Sequence, residues 1–469
     1  MKIKFIGAAQ QVTGSMYQIT DQDNKMYLVD CGLSYEKDQD YTENRNFPFD
    51  PAQIEAVILT HAHVDHSGNI PTLYAQGFRG RVFCTEPTFE IVKTLLLDSA
   101  HLQKSKANRK AKKAKKNKGK MDDEILYNVH EVTESFELFV TLPFEKTFTL
   151  SSTLKFSFFE AGHILGAASI RFEYTQNKRT KSIGFTGDLG PNHTQIIVPP
   201  KPLKNLNYLV IEGTYGNRLK KSTNSPEDEL MLHIQKTCID RGGRLVIPAF
   251  SVGRTQSILF TLNRLYREGR LGNLRVFTDS PLGMINTDIH KHFRSFLNKK
   301  AIGFYEQFGS LFQFPNLYTV EDEEDKDEMD NYAGASILVS SAGMVVGGRV
   351  QQHVKSNLNK PQSKILIAGF CAPGTLGREL LDNKGKVWIK GKEHVVYCQI
   401  AQTDVFSAHP DLTGLIEYCH SVSSNSDELE KIFLTHGEID SLENLKKELH
   451  KKNRCLEIKT PYAHKEYDI

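Results

Sequence analysis

The chain has 469 residues, 39% hydrophobic and 25% charged, with a formal net charge of +3. That length exceeds what one hydrophobic core usually serves, so two or more domains are expected, and no apolar run approaches the ~20 residues of a membrane span. Seven scattered cysteines without a C-x-x-C pair exclude a disulfide-built scaffold and point to a reducing, cytoplasmic setting.

The charge is unevenly placed. Lys104–Lys120 holds ten basic residues and no acid, while Glu321–Asp330 holds eight acids and one lysine. The acidic block reads as a solvated face. Clustered Lys and Arg are what a sequence-independent grip on nucleic-acid phosphate needs, so the basic run is a candidate RNA clamp.

In chain order, residues 1–60 read as short strands, Lys2–Ile6, Ser15–Thr20 and Met26–Val29, followed by the apolar run Ala56–Leu59. Asp30, after the third strand, is a turn residue or an acceptor that orients a ligand. Thr60–Pro71, T-H-A-H-V-D-H-S-G-N-I-P, puts His61, His63, Asp65 and His66 within six positions. Alternate residues of extended backbone point the same way, so His61 and His63 can reach one ion, with Asp65 and His66 past the bend reaching a second. Imidazole and carboxylate are the usual nitrogen and oxygen ligands of zinc.

Asn69–Gln76 is expected to be a short helix, Arg81–Thr85 a strand, and Glu86–Leu102 a helix that frays into a mobile cationic loop. Strands resume over 146–190, with His163 and Asp188 at strand ends among glycines. After the buried strand Tyr208–Ile211 and Glu212, the texture changes to α/β alternation. Strands are expected at Arg244–Pro248, Leu274–Phe277, Ser336–Ser340 and Lys364–Ala368, each ending in a Gly/Ser-rich turn. Such turns, with Arg beside them, suit phosphate oxygens, which makes Ser251, Arg254, Ser341, Arg349 and Arg378 candidate substrate contacts. Toward the C-terminus stand His409 in Ser407-Ala408-His409-Pro410 and, after the apolar run Ile432–Leu434, His436.

With these residues assembled, the chain resembles the β-CASP branch of the metallo-β-lactamase superfamily, from Gly7-Ala8 and Val12-Thr13-Gly14-Ser15 to the C-terminus. It looks most similar to compact prokaryotic relatives of the endonuclease of pre-mRNA 3′-end processing. The resemblance implies an α/β fold, an αββα sandwich interrupted by a Rossmann-like β-CASP domain: residues 1–212 and 380–469 for the sandwich, 213–379 for the insert, with a cleft between them. It implies that His61, His63 and His163 bind one Zn2+, that Asp65, His66 and His436 bind another, and that Asp188 bridges. Asp30 matches the family's supporting aspartate. Glu212 and His409 match a hydrogen-bonded pair whose histidine is the proposed general acid.

The implied activity is zinc-dependent hydrolysis of RNA phosphodiester bonds by a hydroxide activated between the metals, endonucleolytic, in RNA processing or decay. Single-stranded RNA is the expected partner, with a homodimer left open and no membrane. RNA-directed members generally carry histidine at the position of His436, and DNA-repair members generally do not. Thr214 stands two residues after the acid where the family commonly has serine following it, and Pro410 stands where a small residue is common. The ligands alone are compatible with a lactam or thioester hydrolase or a DNA nuclease. The long insert and the Glu212/His409 pair argue against the first, His436 against the second, and the full ligand set against a non-catalytic RNA-binding subunit.

Overall fold

The computed structural model describes residues 1–35, 42–117, 125–176, 179–220, 222–382, 385–452 and 456–469. They divide into two compact units. One comprises Met1–Asn192, Pro199–Leu219 and His409–Ile469; the other comprises His193–Val198 and Lys220–Ala408.

The first unit is a sandwich of two seven-stranded sheets. One sheet runs Glu466–Asp468, Lys2–Phe5, Tyr17–Thr20, Met26–Val29, Ile54–Ile58, Arg81–Cys84, Phe139–Thr141. The other runs Glu457–Lys459, Lys431–Thr435, Tyr208–Glu212, Arg179–Phe185, Ala168–Gln176, Leu154–Glu160, Thr147–Thr149. Period-2 alternation explains the shared core. Leu154, Phe156 and Phe158 point inward from one strand and Ala168, Ile170, Phe172 and Tyr174 from its neighbour, where they meet Phe5, Tyr17, Ile58 and Phe433. Tyr208–Glu212 is buried on both faces. Tyr208 and Val210 join the inter-sheet core, while Leu209 and Ile211 lie under Leu415, Tyr418, Leu442 and Leu445 of the helices Leu412–Ser424 and Ile439–Lys452. Both-face burial is why this run reads as unbroken hydrophobicity.

Parallel pairing carries the functional consequence. Met26–Val29, Ile54–Ile58 and Arg81–Cys84 are mutually parallel, as are Arg179–Phe185, Tyr208–Glu212 and Lys431–Thr435. Their carboxyl ends therefore come out side by side, with Glu212 directly opposite Thr435.

The second unit holds an all-parallel six-stranded sheet in the order Leu317–Thr319, Arg275–Asp279, Ser336–Ser340, Arg244–Pro248, Lys364–Ile367, Gln399–Gln402. Helices cover both faces. Leu245, Ile247 and Val339 pack against Ile258, Leu262 and Leu265 on one side, and Val246, Ile365 and Ile367 against Val350, Val354 and Leu380 on the other. Because Gln399–Gln402 continues this sheet, residues 380–408, which the resemblance assigns to the sandwich, fall in the second unit.

The helix that opens at Glu86 does not fray after Leu102. It continues to Asn117, since Ala107, Ala111, Ala114 and the intervening lysines are strong helix formers. The end of the basic run, 118–120, lies outside the described residues. Among the described residues no helix is long and apolar enough to cross a membrane.

Phe156 is 1% exposed and its ring meets those of Phe83, Phe148, Phe158 and Phe172 at centroid distances of 5.4–6.1 Å. Phe156→Ala is expected to cost about 3–5 kcal/mol of unfolding free energy in a denaturant titration. Exposed Lys155→Ala next to it should stay within about 0.5 kcal/mol.

Candidate metal centre

The Thr60–Pro71 segment leaves the strand Ile54–Ile58 extended through His61 and then winds into one helical turn, Val64–Ser67. His63 caps that turn, its carbonyl accepting from the amides of His66 and Ser67. The change from extended to helical backbone turns Asp65 and His66 away from His61 and His63. Backbone bonds hold the turn in place: the amide of Ser15 donates to the Asp65 carbonyl at 2.8 Å, that of Cys31 to His66 at 2.8 Å and that of Leu33 to Val64 at 2.9 Å. Only a residue without a side chain fits beneath it, because a Cβ on Gly32 would stand 1.7 Å from the Asp65 carbonyl oxygen.

The turn carrying His163 is pinned to the same place. Its end, Ala168, donates its amide to the Thr60 carbonyl at 2.8 Å. Its start backs onto the Asp188 loop, where a Cβ on Gly190 would lie 1.8 Å from the Gly162 carbonyl oxygen. Asp188, Glu212 and His436 emerge from the three neighbouring parallel strands. His436 and Asp30 both hold left-handed backbone, at φ 50° and 60°, a strained choice for non-glycine residues that clusters at functional sites.

Two donor sets result: His61, His63, His163 and Asp188, and Asp65, His66 and His436, the donor atoms of each lying within 4.8 Å of one another. In the first, His63 Nδ1 is 3.1 Å from both His61 Nε2 and His163 Nε2, and Asp188 Oδ2 is 3.7 and 3.6 Å from those two Nε2 atoms. In the second, His66 Nε2 and His436 Nε2 are 3.1 Å apart, and Asp65 Oδ2 is 3.7 Å from the latter. The other oxygen of Asp188, Oδ1, faces this set at 3.2 and 3.4 Å from His66 and His436.

The hydrogen bonds around the sets decide which imidazole nitrogens are free. Asp30, wholly buried, accepts from the Thr60 amide at 2.7 Å, the Thr60 hydroxyl at 2.8 Å and His66 Nδ1–H at 2.7 Å. With its proton committed to Asp30, the Thr60 hydroxyl accepts from His61 Nδ1–H at 3.1 Å. Thr214 does the same for His436, donating to its carbonyl at 3.0 Å and accepting from its Nδ1–H at 2.9 Å. In each case the Nδ1 proton points outward and the Nε2 lone pair inward, as a buttressed metal ligand requires.

These residues fit divalent ions. Ligands ~2.0–2.1 Å from a tetrahedral metal are separated by roughly 3.3–3.4 Å, and the donor separations of 3.1–3.7 Å bracket that value. Asp188 Oδ1 is buried with no hydrogen-bond partner, an arrangement that a shared cation explains. Burial holds His61 well below the usual histidine range and His63 at about 4, so both are neutral donors. Burial also disfavours charge on His66 and His436, but Asp188, with Asp30 for the first and Asp65 for the second, outweighs it and raises both. A cation there displaces protons, so its binding weakens as pH falls.

Beside the sets, His409 Nδ1–H donates to Glu212 Oε1 and Oε2 at 3.0 and 3.1 Å. Glu212 is held by the amides of Leu189 at 2.7 Å and Thr214 at 3.3 Å. His409 packs on the rings of His163 and Tyr215, and its Nε2 lies 4.0 Å from Asp188 Oδ2. Burial opposes its charge, but Glu212 and Asp188 outweigh burial and raise its pKa.

The five candidate phosphate contacts all belong to the second unit, where the side chains of Arg254, Arg349, Arg378 and Ser341 have partners. Arg254 is buried over the Phe250 ring and donates to the Phe406 carbonyl. Arg349 pairs with Asp279 at 2.5 Å, and Arg378 with Asp382 at 3.0 Å. Ser341 meets the Ser280 hydroxyl at 2.7 Å, and the Ser251 carbonyl accepts from Gln256 at 3.1 Å. Reading the sequence misses the orienting roles of Thr60 and Thr214. The available signal is a hydroxyl immediately before His61 and another just after Glu212.

A sandwich of this topology with paired His/Asp sets at its strand ends defines a divalent-metal hydrolase of the metallo-β-lactamase type. Residues 19–181 match the metallo-beta-lactamase superfamily domain, 255–380 the Beta-Casp domain, and 393–461 the Zn-dependent metallo-hydrolase RNA specificity domain. The chain is 30% identical to an RNase J-like protein of Methanocaldococcus jannaschii, over 93% of this chain and 92% of the relative. It is 28% identical to a ribonuclease of Thermus thermophilus, over 94% of each chain. Identity to the transcription termination factor FttA of Methanosarcina mazei is 28%, over 96% of this chain and 69% of that protein. The chain belongs to the β-CASP family of the metallo-β-lactamase superfamily.

Asp30→Ala removes the acceptor of three buried donors. Metal affinity, measured by competition with a chromophoric chelator, is expected to fall about 10–100-fold. Unaltered affinity would mean that Asp30 orients no ligand.

Proposed function

We propose that the protein is a zinc-dependent ribonuclease that cleaves single-stranded RNA internally. The observation that carries the reading is the Glu212–His409 pair beside two donor sets that share Asp188. His61, His63 and His163 would hold one Zn2+, Asp65, His66 and His436 a second, and Asp188 would face both. When bound, the ions supply Lewis acidity toward water and toward the non-bridging phosphate oxygens.

What the chain itself contributes is proton placement. Glu212 orients the His409 ring through Nδ1–H, favours its protonated form together with Asp188, and leaves Nε2 aimed at the Asp188 side of the site. There it can protonate the departing O3′ of a phosphodiester, leaving 5′-phosphate and 3′-hydroxyl ends; general acids of this kind contribute about 10²–10⁴-fold. A small ester or lactam needs no second unit of this size. RNA as the substrate is supported by the ribonuclease relatives and by histidine at position 436.

Labelled RNA and matching single-stranded DNA, incubated with wild type, Asp65→Ala and His409→Ala with and without a chelator, test this. Internal RNA fragments are expected from wild type alone, abolished by chelation and by Asp65→Ala. His409→Ala should lose about 10²–10⁴-fold in rate while retaining its metal. A ladder from the 5′ end would replace internal cleavage by exonuclease action, and cleavage of DNA alone would overturn the substrate.

The basic run is proposed as a phosphate clamp. Its described half is one helix in which Lys104, Lys106 and Arg109 surround a stripe of Gln103, Ala107 and Ala111. Gln103 anchors that stripe by accepting from the Leu126 amide at 2.9 Å. Replacing Lys104, Lys106, Arg109 and Lys110 by Gln should reduce the slope of log affinity against log salt by roughly 0.7 per lost phosphate contact. An unchanged slope would remove the clamp.

A further inference from the structure

The chain has one tryptophan, and it is not in a core. Trp388 lies on the hairpin Lys386–Ile389/Lys392–Val395, which stands apart from the six-stranded sheet of its unit. Val387 and Ile389 on the inner face are buried with Leu376, Leu380 and Cys398, so the hairpin is anchored on the core of that unit. The outer face carries Trp388, 59% exposed, and Val395, 42% exposed, with Tyr397, 63% exposed, just beyond. The Trp388 ring stacks on no other ring and lies under no cation among the described residues.

The turn adds charge. Lys390 and Gly391 have φ 51° and 76°, the two left-handed residues of a type I′ turn, and a lysine accepts that conformation at some cost. Lys386 is neutralised by Glu393 at 2.9 Å across the face. Lys390 has no carboxylate partner among the described residues; Lys392, opposite Ile389 in the register, lies toward the inner face, and Glu393 stands directly across from Trp388. Glu393–Val395 and Tyr397 fall within the stretch matched to the RNA specificity domain, and Trp388 and Lys390 lie just before it.

We infer that this hairpin is a base-stacking contact for single-stranded RNA, with Trp388 as the platform and Lys390 at the turn as its phosphate contact. An exposed aromatic with a cation nearby is the recurrent way of holding a single strand without reading its sequence. Size argues against a second protein copy. Two four-residue strands offer roughly 150–200 Å² of outer face, against the ~800 Å² per partner of a stable protein interface. A nucleobase needs only one ring face. The inference rests on the ribonuclease reading and adds a contact made by residues other than the donor sets.

Having a single tryptophan makes the test direct. A nuclease-resistant 2′-O-methyl oligoribonucleotide of roughly ten nucleotides is titrated into the metal-loaded protein. Its binding is followed by anisotropy of an end label and by intrinsic tryptophan emission. Emission is expected to quench in step with anisotropy. Trp388→Ala should weaken binding on the order of tenfold, Trp388→Phe should retain most of it, and Lys390→Gln should lower the salt slope. Binding without quenching, with Trp388→Ala unchanged, overturns the hairpin contact while leaving RNA cleavage standing. Absence of both binding and cleavage overturns the ribonuclease reading with it. Self-association in sedimentation that is lost in Trp388→Ala would show that the face buries a second copy.

Discussion

The buried carboxylate of Asp188 is the constraint around which the sandwich is organised. It is 3% exposed, one oxygen has no hydrogen-bond partner, and histidines face it from both sides. An uncompensated carboxylate in such a place costs several kcal/mol. It is tolerable where positive charge can be gathered on each oxygen, and the fold supplies donors for that from both sheets. Close glycine contacts under Asp65 and between the His163 and Asp188 loops bring the loops near enough. Left-handed backbone at Asp30 and His436 aims the last two groups.

A second layer of hydroxyls and carboxylates determines what those donors can do. Asp30, Thr60, Thr214 and Glu212 each take an Nδ1 proton, from His66, His61, His436 and His409 respectively. The same hydrogen-bond logic thus serves two ends. For His61, His66 and His436, whose Nε2 atoms lie in the donor sets, it turns a lone pair toward a cation; for His409, which belongs to neither set, it leaves the other N–H facing the centre. Identical side chains acquire different roles from where their second nitrogen points.

Part of this was legible in the chain. The Thr60–Pro71 segment could be read because its four candidate donors are local and the strand-to-helix bend follows from apolar Ala56–Leu59 meeting Ser67-Gly68. The α/β texture after Glu212 was legible because buried parallel strands are short continuous apolar runs. Other features were not. The basic segment reads as a frayed loop because it lacks an apolar stripe, yet alanine and lysine propensity carries the helix to Asn117. Arg254, Arg349 and Arg378 stand beside Gly-rich turns as phosphate ligands would, and the sequence does not show the partner that each also has within its own unit. No pattern of residue types distinguishes a free guanidinium from a paired one.

The sequence by itself determined the family, the α/β character, the alternating inward faces of the sandwich strands and the residue types available for metal and proton chemistry. These follow from periodicity and from motifs short enough to be local. Only the tertiary structure decided that Asp188 turns one oxygen to each donor set, that Thr60 and Thr214 select the tautomers, and that the one tryptophan faces outward on an anchored hairpin. Those outcomes depend on strand register and loop contact between segments up to hundreds of residues apart, such as Glu212 opposite Thr435 and Thr214 against His436. Non-local pairing leaves no trace in spacing, so the chemistry of the centre is encoded locally and its geometry is not.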